Sequence, residues 1–202
     1  MHNSQLVSIV AWAYGLTNSN YQLVAGRWQK ELWEHSYDIE ARAPGAVGEE
    51  DLRRMFQGLL RERFRLKVHR ETRELAAYDL VVAGSGAKLT RAPVRAVKNS
   101  LGFGGSSSWV ELTDGGGRRL VGRGASMEEL AVVLTGKVGA PVRDRTGIAG
   151  GFDYSVAFSS GVEASEAPVL PTAIRELGLR LEKSKGLFEV LVVDGLEKAS
   201  EN

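Results

Sequence analysis

The residues best suited by type to general acid–base work are three carboxylates, Asp38, Asp144 and Asp153, each at the start of a turn or strand. A hydrolase for a sugar or cell-envelope substrate would draw on such a set. The same positions suit an aspartate that accepts backbone hydrogen bonds in a turn, and that reading is favoured. His2, His35 and His69 fall at the extreme N-terminus, in a loop and on the polar side of a strand, without metal-ligand spacing, and the chain has no cysteine. Neither glycine run, 104–105 or 115–117, is closed by the Lys-Ser/Thr of a phosphate loop. Thr135-Gly136-Lys137 comes at a helix end, where the dipole repels anions. No Gly-x-Ser-x-Gly elbow occurs, and the serines at 106–108 lie in a stretch too polar to hold a strained nucleophile. No catalytic, cofactor-binding or metal-ligating residue is therefore expected.

Contact residues are a different matter. Arg53, Arg54, Arg61, Arg63, Arg65, Lys67, Arg70 and Arg73 form the one local basic cluster in the sequence. A solvated face balanced by Glu62, Glu71 and Glu74 is the favoured reading, and a patch for an anionic partner is the other. Trp28 and Trp33, in the polar stretch 27–33, are candidate aromatic anchors. The candidate partner contacts are thus Trp28, Trp33, Arg61, Arg63, Arg65, Lys67 and Arg70. Lys and Arg number 26 against 25 Asp and Glu, a net charge of +1, so no global field favours nucleic acid. No stretch approaches the length of a membrane span, and residues 1–5 lack the features of a secretory signal. Membrane attachment would require a segment absent from these 202 residues. Helical periodicity that begins at Leu6, almost without lead-in, suggests a longer precursor.

The elements that must position these residues follow from periodicity. Helices are expected over 4–14, behind a Ser4 cap, and over 49–62, with Leu52, Phe56, Leu59 and Leu60 inward and Glu49, Glu50 and Asp51 in the first turn. Strands are expected over 21–25, 36–41, 64–68 and 77–83, with a turn over 70–74. Residues 84–125 carry ten of the 24 glycines and read as a connector in which 109–113 and 119–121 could form a hairpin. A helix capped by Ser126 and Glu129 comes next. It is followed by strands near 141–143 and over 152–158, a short helix over 168–177 ended by Gly178, and strands over 179–182 and 188–193.

Tyr37-Asp38-Ile39-Glu40-Ala41 aligns with Phe152-Asp153-Tyr154-Ser155-Val156, Arg65-Leu66-Lys67 with Arg180-Leu181-Glu182, and Leu80-Val81-Val82 with Leu191-Val192-Val193. Three matches in one order indicate a duplicated α+β protein. Its two similar lobes, each helix, strand pair, helix, strand pair, would have mostly antiparallel sheets with helices on one face. The expected division is a first lobe over 1–83, a connector over 84–125 and a second lobe over 126–202, or one compact duplicated domain.

Residues 13–15, 36–41, 60–74, 141–154 and 190–194, among them Arg-Phe-Arg-Leu-Lys-Val-His-Arg-Glu-Thr-Arg and Asp-Arg-Thr-Gly-Ile, resemble a soil-associated protein family expanded in Acidobacteria and classed as a domain of unknown function. The resemblance implies an extracytoplasmic protein, usually made with a signal peptide and sometimes joined to a membrane metallopeptidase similar to beta-lactam sensors. It supplies no activity. Family members usually have a strand before the first helix, which this chain lacks. In element order each half also resembles the short N-terminal domain of secretins and TonB-dependent receptors. The expected function is a non-enzymatic binding or sensor domain for a protein, peptide or envelope polymer, without cofactor. The alternatives are the carboxylate hydrolase and an assembly module of a secretin-like complex.

Overall fold

The computed structural model describes residues 3–40, 45, 47–95, 107–113, 117–159 and 168–199. In chain order its elements are β1 (Ser4–Gln5), α1 (Leu6–Ala13), α2 (Ser19–Gln22), β2 (Leu23–Val24), a 3-10 turn (Gly26–Trp28), α3 (Gln29–Glu34), β3 (Ser36–Tyr37), α4 (Glu49–Phe64) and β4 (Lys67–Val82). Then come β5 (Thr90–Ala92), β6 (Ser108–Leu112), β7 (Arg118–Ala125), α5 (Met127–Val138), β8 (Val142–Asp144), β9 (Gly151–Phe158), α6 (Leu170–Ala173), a 3-10 turn (Ile174–Leu177) and β10 (Leu179–Gly195). The fold is α+β with mostly antiparallel pairing. His2, Ala41, Ser106 and the glycines at 104–105 and 115–116 lie outside the described residues.

Two compact units are present: 1–74 with 187–202, and 75–186. In the first, α1 and α4 enclose a core of Leu6, Ile9, Val10, Leu32, Phe56, Leu60 and Phe64, closed by Leu191, Val193 and Leu196. β1 pairs antiparallel with β3, and β2 pairs parallel with β10 in the register Leu23 to Leu191. Helix α4 carries Glu49, Glu50 and Asp51 in its first turn and Arg61 and Arg63 in its last, which complements its dipole at both ends. It ends at Arg65, held in the left-handed region at φ 48° with its N–H bonded to the Leu60 carbonyl.

In the second unit, β8 pairs parallel with β4, Leu80 beside Asp144, and a four-stranded sheet has the order β5-β9-β7-β6. Phe152, Tyr154, Val156 and Phe158 alternate inward along β9 and pack with Leu120, with Leu130 and Leu134 of α5, and with Leu170 and Ile174. Helix α5 starts where the sequence puts it. The Glu129 N–H donates to Ser126 Oγ (3.2 Å) and the Ser126 N–H to Glu129 Oε2 (2.9 Å), while Glu129 Oε1 also accepts the Ser107 N–H (2.7 Å). Residues 84–125, expected as a connector, contain the expected hairpin and contribute three of that sheet's four strands.

Three local expectations change. Residues 70–74 form no turn: β4 is one 16-residue strand, and β10 likewise runs unbroken through 183–187. Residues 70–74 contain no Gly, Pro, Asn or Asp to turn the chain, and their charges are met by partners such as Glu189 on β10. Ser4 does not cap α1; it belongs to β1 with Gln5, so a short strand does precede the first helix, contrary to the expectation that this chain lacks one. The stretch 27–33 is a 3-10 turn and a helix in place of a loop, because Leu32 is wholly buried and pulls its turn onto the core.

Candidate functional site: two surfaces

The basic residues singled out in the sequence run along α4 into the start of β4, and two of them, with Gln57, do a structural job. Arg53 Nη1 donates to the Trp12 carbonyl (2.9 Å), Gln57 Nε2 to the Ala13 carbonyl (2.8 Å) and Arg70 Nη2 to the Tyr14 carbonyl (2.7 Å). These carbonyls lie at the C-terminal end of α1, where the helix runs out of its own donors; the Gly15 N–H still reaches the Trp12 carbonyl (3.2 Å), and the three side chains add donors from outside the helix. Arg70 also pairs with Glu189. Its guanidinium is therefore committed to the fold as well as exposed. Burial raises the Tyr14 pKa, and the charges of Arg61 and then Arg70 oppose that rise, which brings both arginines to one phenol. Arg61, Arg63 and Arg65 are exposed, and the stem of Lys67 lies 3.6–3.8 Å from where a Cβ of Gly195 would stand. Trp28 and Trp33 are half-buried against the first unit's core, with the Arg27 guanidinium 4.5 Å from the Trp28 ring centroid.

Each of the three aspartates holds a backbone N–H. Asp38 Oδ1 accepts from Asn3 (2.6 Å), Asp153 Oδ1 from Gly124 (2.8 Å), and Asp144 Oδ1 from both N–H and Oγ1 of Thr146 (2.8 Å each). Asp38 belongs to the first unit, Asp144 and Asp153 to the second. His69 stands exposed on β4 with Nδ1 2.9 Å from Asp194 Oδ2 and Nε2 3.6 Å from Glu71. The hydrogen bond to Asp194 raises its pKa above the ordinary value.

The second surface was not legible as a site. Strands β6, β7 and β9 turn one face to the core and the other to solvent, and the outward face carries two cross-strand rows. Trp109, Val121 and Ser155 form one; Glu111, Arg119 and Ala157 form the next. Trp109 is 40% exposed, whereas Val121 beside it is 3% exposed. Arg119 Nη1 donates to Ser155 Oγ (3.3 Å), and Arg119 Nε is 3.9 Å from Glu111. Arg123, on the same face, has no ion pair among the described residues. Together with Leu112 and Thr113 these residues line an open depression of about 540 Å³. The alternation Trp109, Glu111 and Arg119, Val121, Arg123 is present in the sequence as a hairpin signal, but alternation alone does not say which face meets the core.

Beside that face lies an open edge. The Thr113 N–H donates to the Gly117 carbonyl (2.8 Å) and the Arg123 N–H to the Ser107 carbonyl (2.9 Å). By antiparallel alternation the backbone groups of Val110 and Leu112 point away from β7, and β6 ends the sheet. Leu112 is 77% exposed there.

Among the described residues no group of three or more His, Cys, Asp or Glu is placed to hold a metal, and no helix is long and apolar enough to cross a membrane. No curated protein and no solved structure matches the chain. A family model matches residues 7–196, nearly the whole length, and the chain belongs to that family, described as Protein of unknown function (DUF3738).

Proposed function

We propose that this chain is a non-enzymatic binding or sensor module working outside the cytoplasm, and that its partner sits on the outward face of β6, β7 and β9. One observation carries the reading: Trp109, 40% exposed on the outward sheet face, stands beside an Arg123 without a carboxylate partner among the described residues. Tryptophan and arginine side by side are the residue types that concentrate at recognition surfaces. The basic end of α4 is a lesser contribution, since Arg70 and Arg53 already cap α1. Placement outside the cytoplasm, with an acidobacterial soil origin, rests on the resemblance of 60–74 and 141–154 to the soil-associated family.

Duplication belongs to the same proposal. In each unit a short strand that follows a helix, β2 after α2 and β8 after α5, joins a long strand in parallel. The aligned leucines Leu191 and Leu80 sit in those two pairings and are 1% and 0% exposed. A folded binding module repeated once accounts for both observations.

The reading is tested by immobilising the chain, passing cell-envelope extract over it and comparing variants. Trp109→Ala should lose the retained material, and the pair Trp28→Ala with Trp33→Ala should keep it; the opposite pattern moves the surface to the first unit. A second reading, assembly into a secretin-like complex, is favoured by the open edge at Val110 and Leu112. Light scattering that finds only monomer removes it. An oligomer lost on Val110→Pro, which deletes only an outward N–H, supports it.

A further inference from the structure

The outward face also indicates the chemistry of its ligand. We propose that it binds an acidic polysaccharide chain, a sugar ring stacked on Trp109 and its carboxylates held by Arg123 and Arg119; this rests on the reading above.

The ligand must be recognised by side chains alone. In a sheet the backbone N–H and C=O groups lie in the plane and are used between strands, so an extended peptide has no hydrogen-bonding row to join on this face; that row exists only at the β6 edge. What the face offers is a flat apolar surface in Trp109, hydroxyls in Ser155 and Thr113, one carboxylate in Glu111 and two guanidiniums. The C–H side of a pyranose matches the indole, and its hydroxyls match mixed donors and acceptors around it. A purely apolar ligand would leave these polar groups desolvated and unpaired.

Charge selects the acidic class. Among the described residues of this face Arg119 and Arg123 stand against Glu111 alone, and Glu111 is 3.9 Å from Arg119, too far for a tight pair. A carboxylate on the ligand can take Arg123 outright and share Arg119, and a planar guanidinium can hold it by two parallel hydrogen bonds. Three strands at about 4.8 Å spacing give the face a span of roughly 10 Å, enough for a chain to pass across it. A nucleic acid would need more than one aromatic in line and a stronger positive field than a net charge of +1 supplies.

The test is affinity electrophoresis of the full chain through gels containing polygalacturonate, with dextran as the neutral control. Retardation by polygalacturonate and not by dextran is expected, and Trp109→Ala and Arg123→Gln should each weaken it by roughly tenfold or more in Kd. Both side chains are exposed, so the fold should survive, and an unchanged melting temperature verifies it. If polygalacturonate does not retard the chain, or retards both variants as much as the parent, the acidic-glycan assignment is overturned. If in that event envelope material is still retained in a Trp109-dependent way, the binding surface stands and only its ligand class was wrong. If that retention is absent too, both fail. Retardation by oligonucleotide in place of polygalacturonate also overturns it.

Discussion

Tyr154 lies across Gly122. The two face each other on the core side of β9 and β7, a Cβ on Gly122 would overlap the Tyr154 ring, and the Tyr154 hydroxyl donates to Ser108 Oγ on β6 (2.7 Å). One side chain thus spans all three strands from beneath, on the face opposite Trp109. Burial holds its hydroxyl protonated, well above the ordinary tyrosine range.

Gly122→Ala should therefore destabilise the protein by about 1–3 kcal/mol, the range for overpacking a filled core. In a Tyr154→Ala background the same change should cost much less, because the ring it strikes is gone. Denaturant unfolding of the four proteins in this cycle measures the coupling, and additive effects would contradict the contact.

Gln57→Leu should leave the Ala13 carbonyl at the end of α1 without its donor and lower stability by about 1 kcal/mol, a fall of about 2–4 °C in Tm for a chain of this size. Gln57→Glu should do no better, since a carboxylate cannot donate. Thermal melts compare them.

His69 should titrate above its ordinary value because Asp194 accepts its Nδ1–H, and Asp194→Asn should bring it back down. A raised folded-state pKa means that the pair stabilises the fold below the unfolded histidine pKa of about 6.5 and that this contribution fades as pH rises through the folded value. Proton NMR of the ring follows the titration. Both groups are exposed, so the stability change should be small and salt-sensitive.

Much of the fold could be read from residue order. Ser126 with Glu129 announced α5, the acidic start of Glu49, Glu50 and Asp51 announced α4, and the alternation from Phe152 to Phe158 announced β9, because each signal is local and decided within one or two turns. The single long strand β4 could not be read that way. Its charged middle imitates a loop until Glu189 and Asp194 of β10, more than a hundred residues away, are known to meet Arg70 and His69. The structural roles of the candidate residues are hidden for the same reason. Arg53, Gln57 and Arg70 could be seen as polar, but that they end α1 depends on α4 crossing it. Trp109 is one tryptophan among four until α5 and α6 pack on one side of the sheet and leave Trp109 on the other.

The central claim is that partners are held on the outward face of the second unit's sheet, and the ratio of dissociation constants for retained envelope material, Trp109→Ala over parent, tests it most directly. A ratio of roughly ten or more, with the Trp28→Ala and Trp33→Ala double variant near one, is the predicted result. A ratio near one for Trp109→Ala, with binding lost in the double variant, would contradict it.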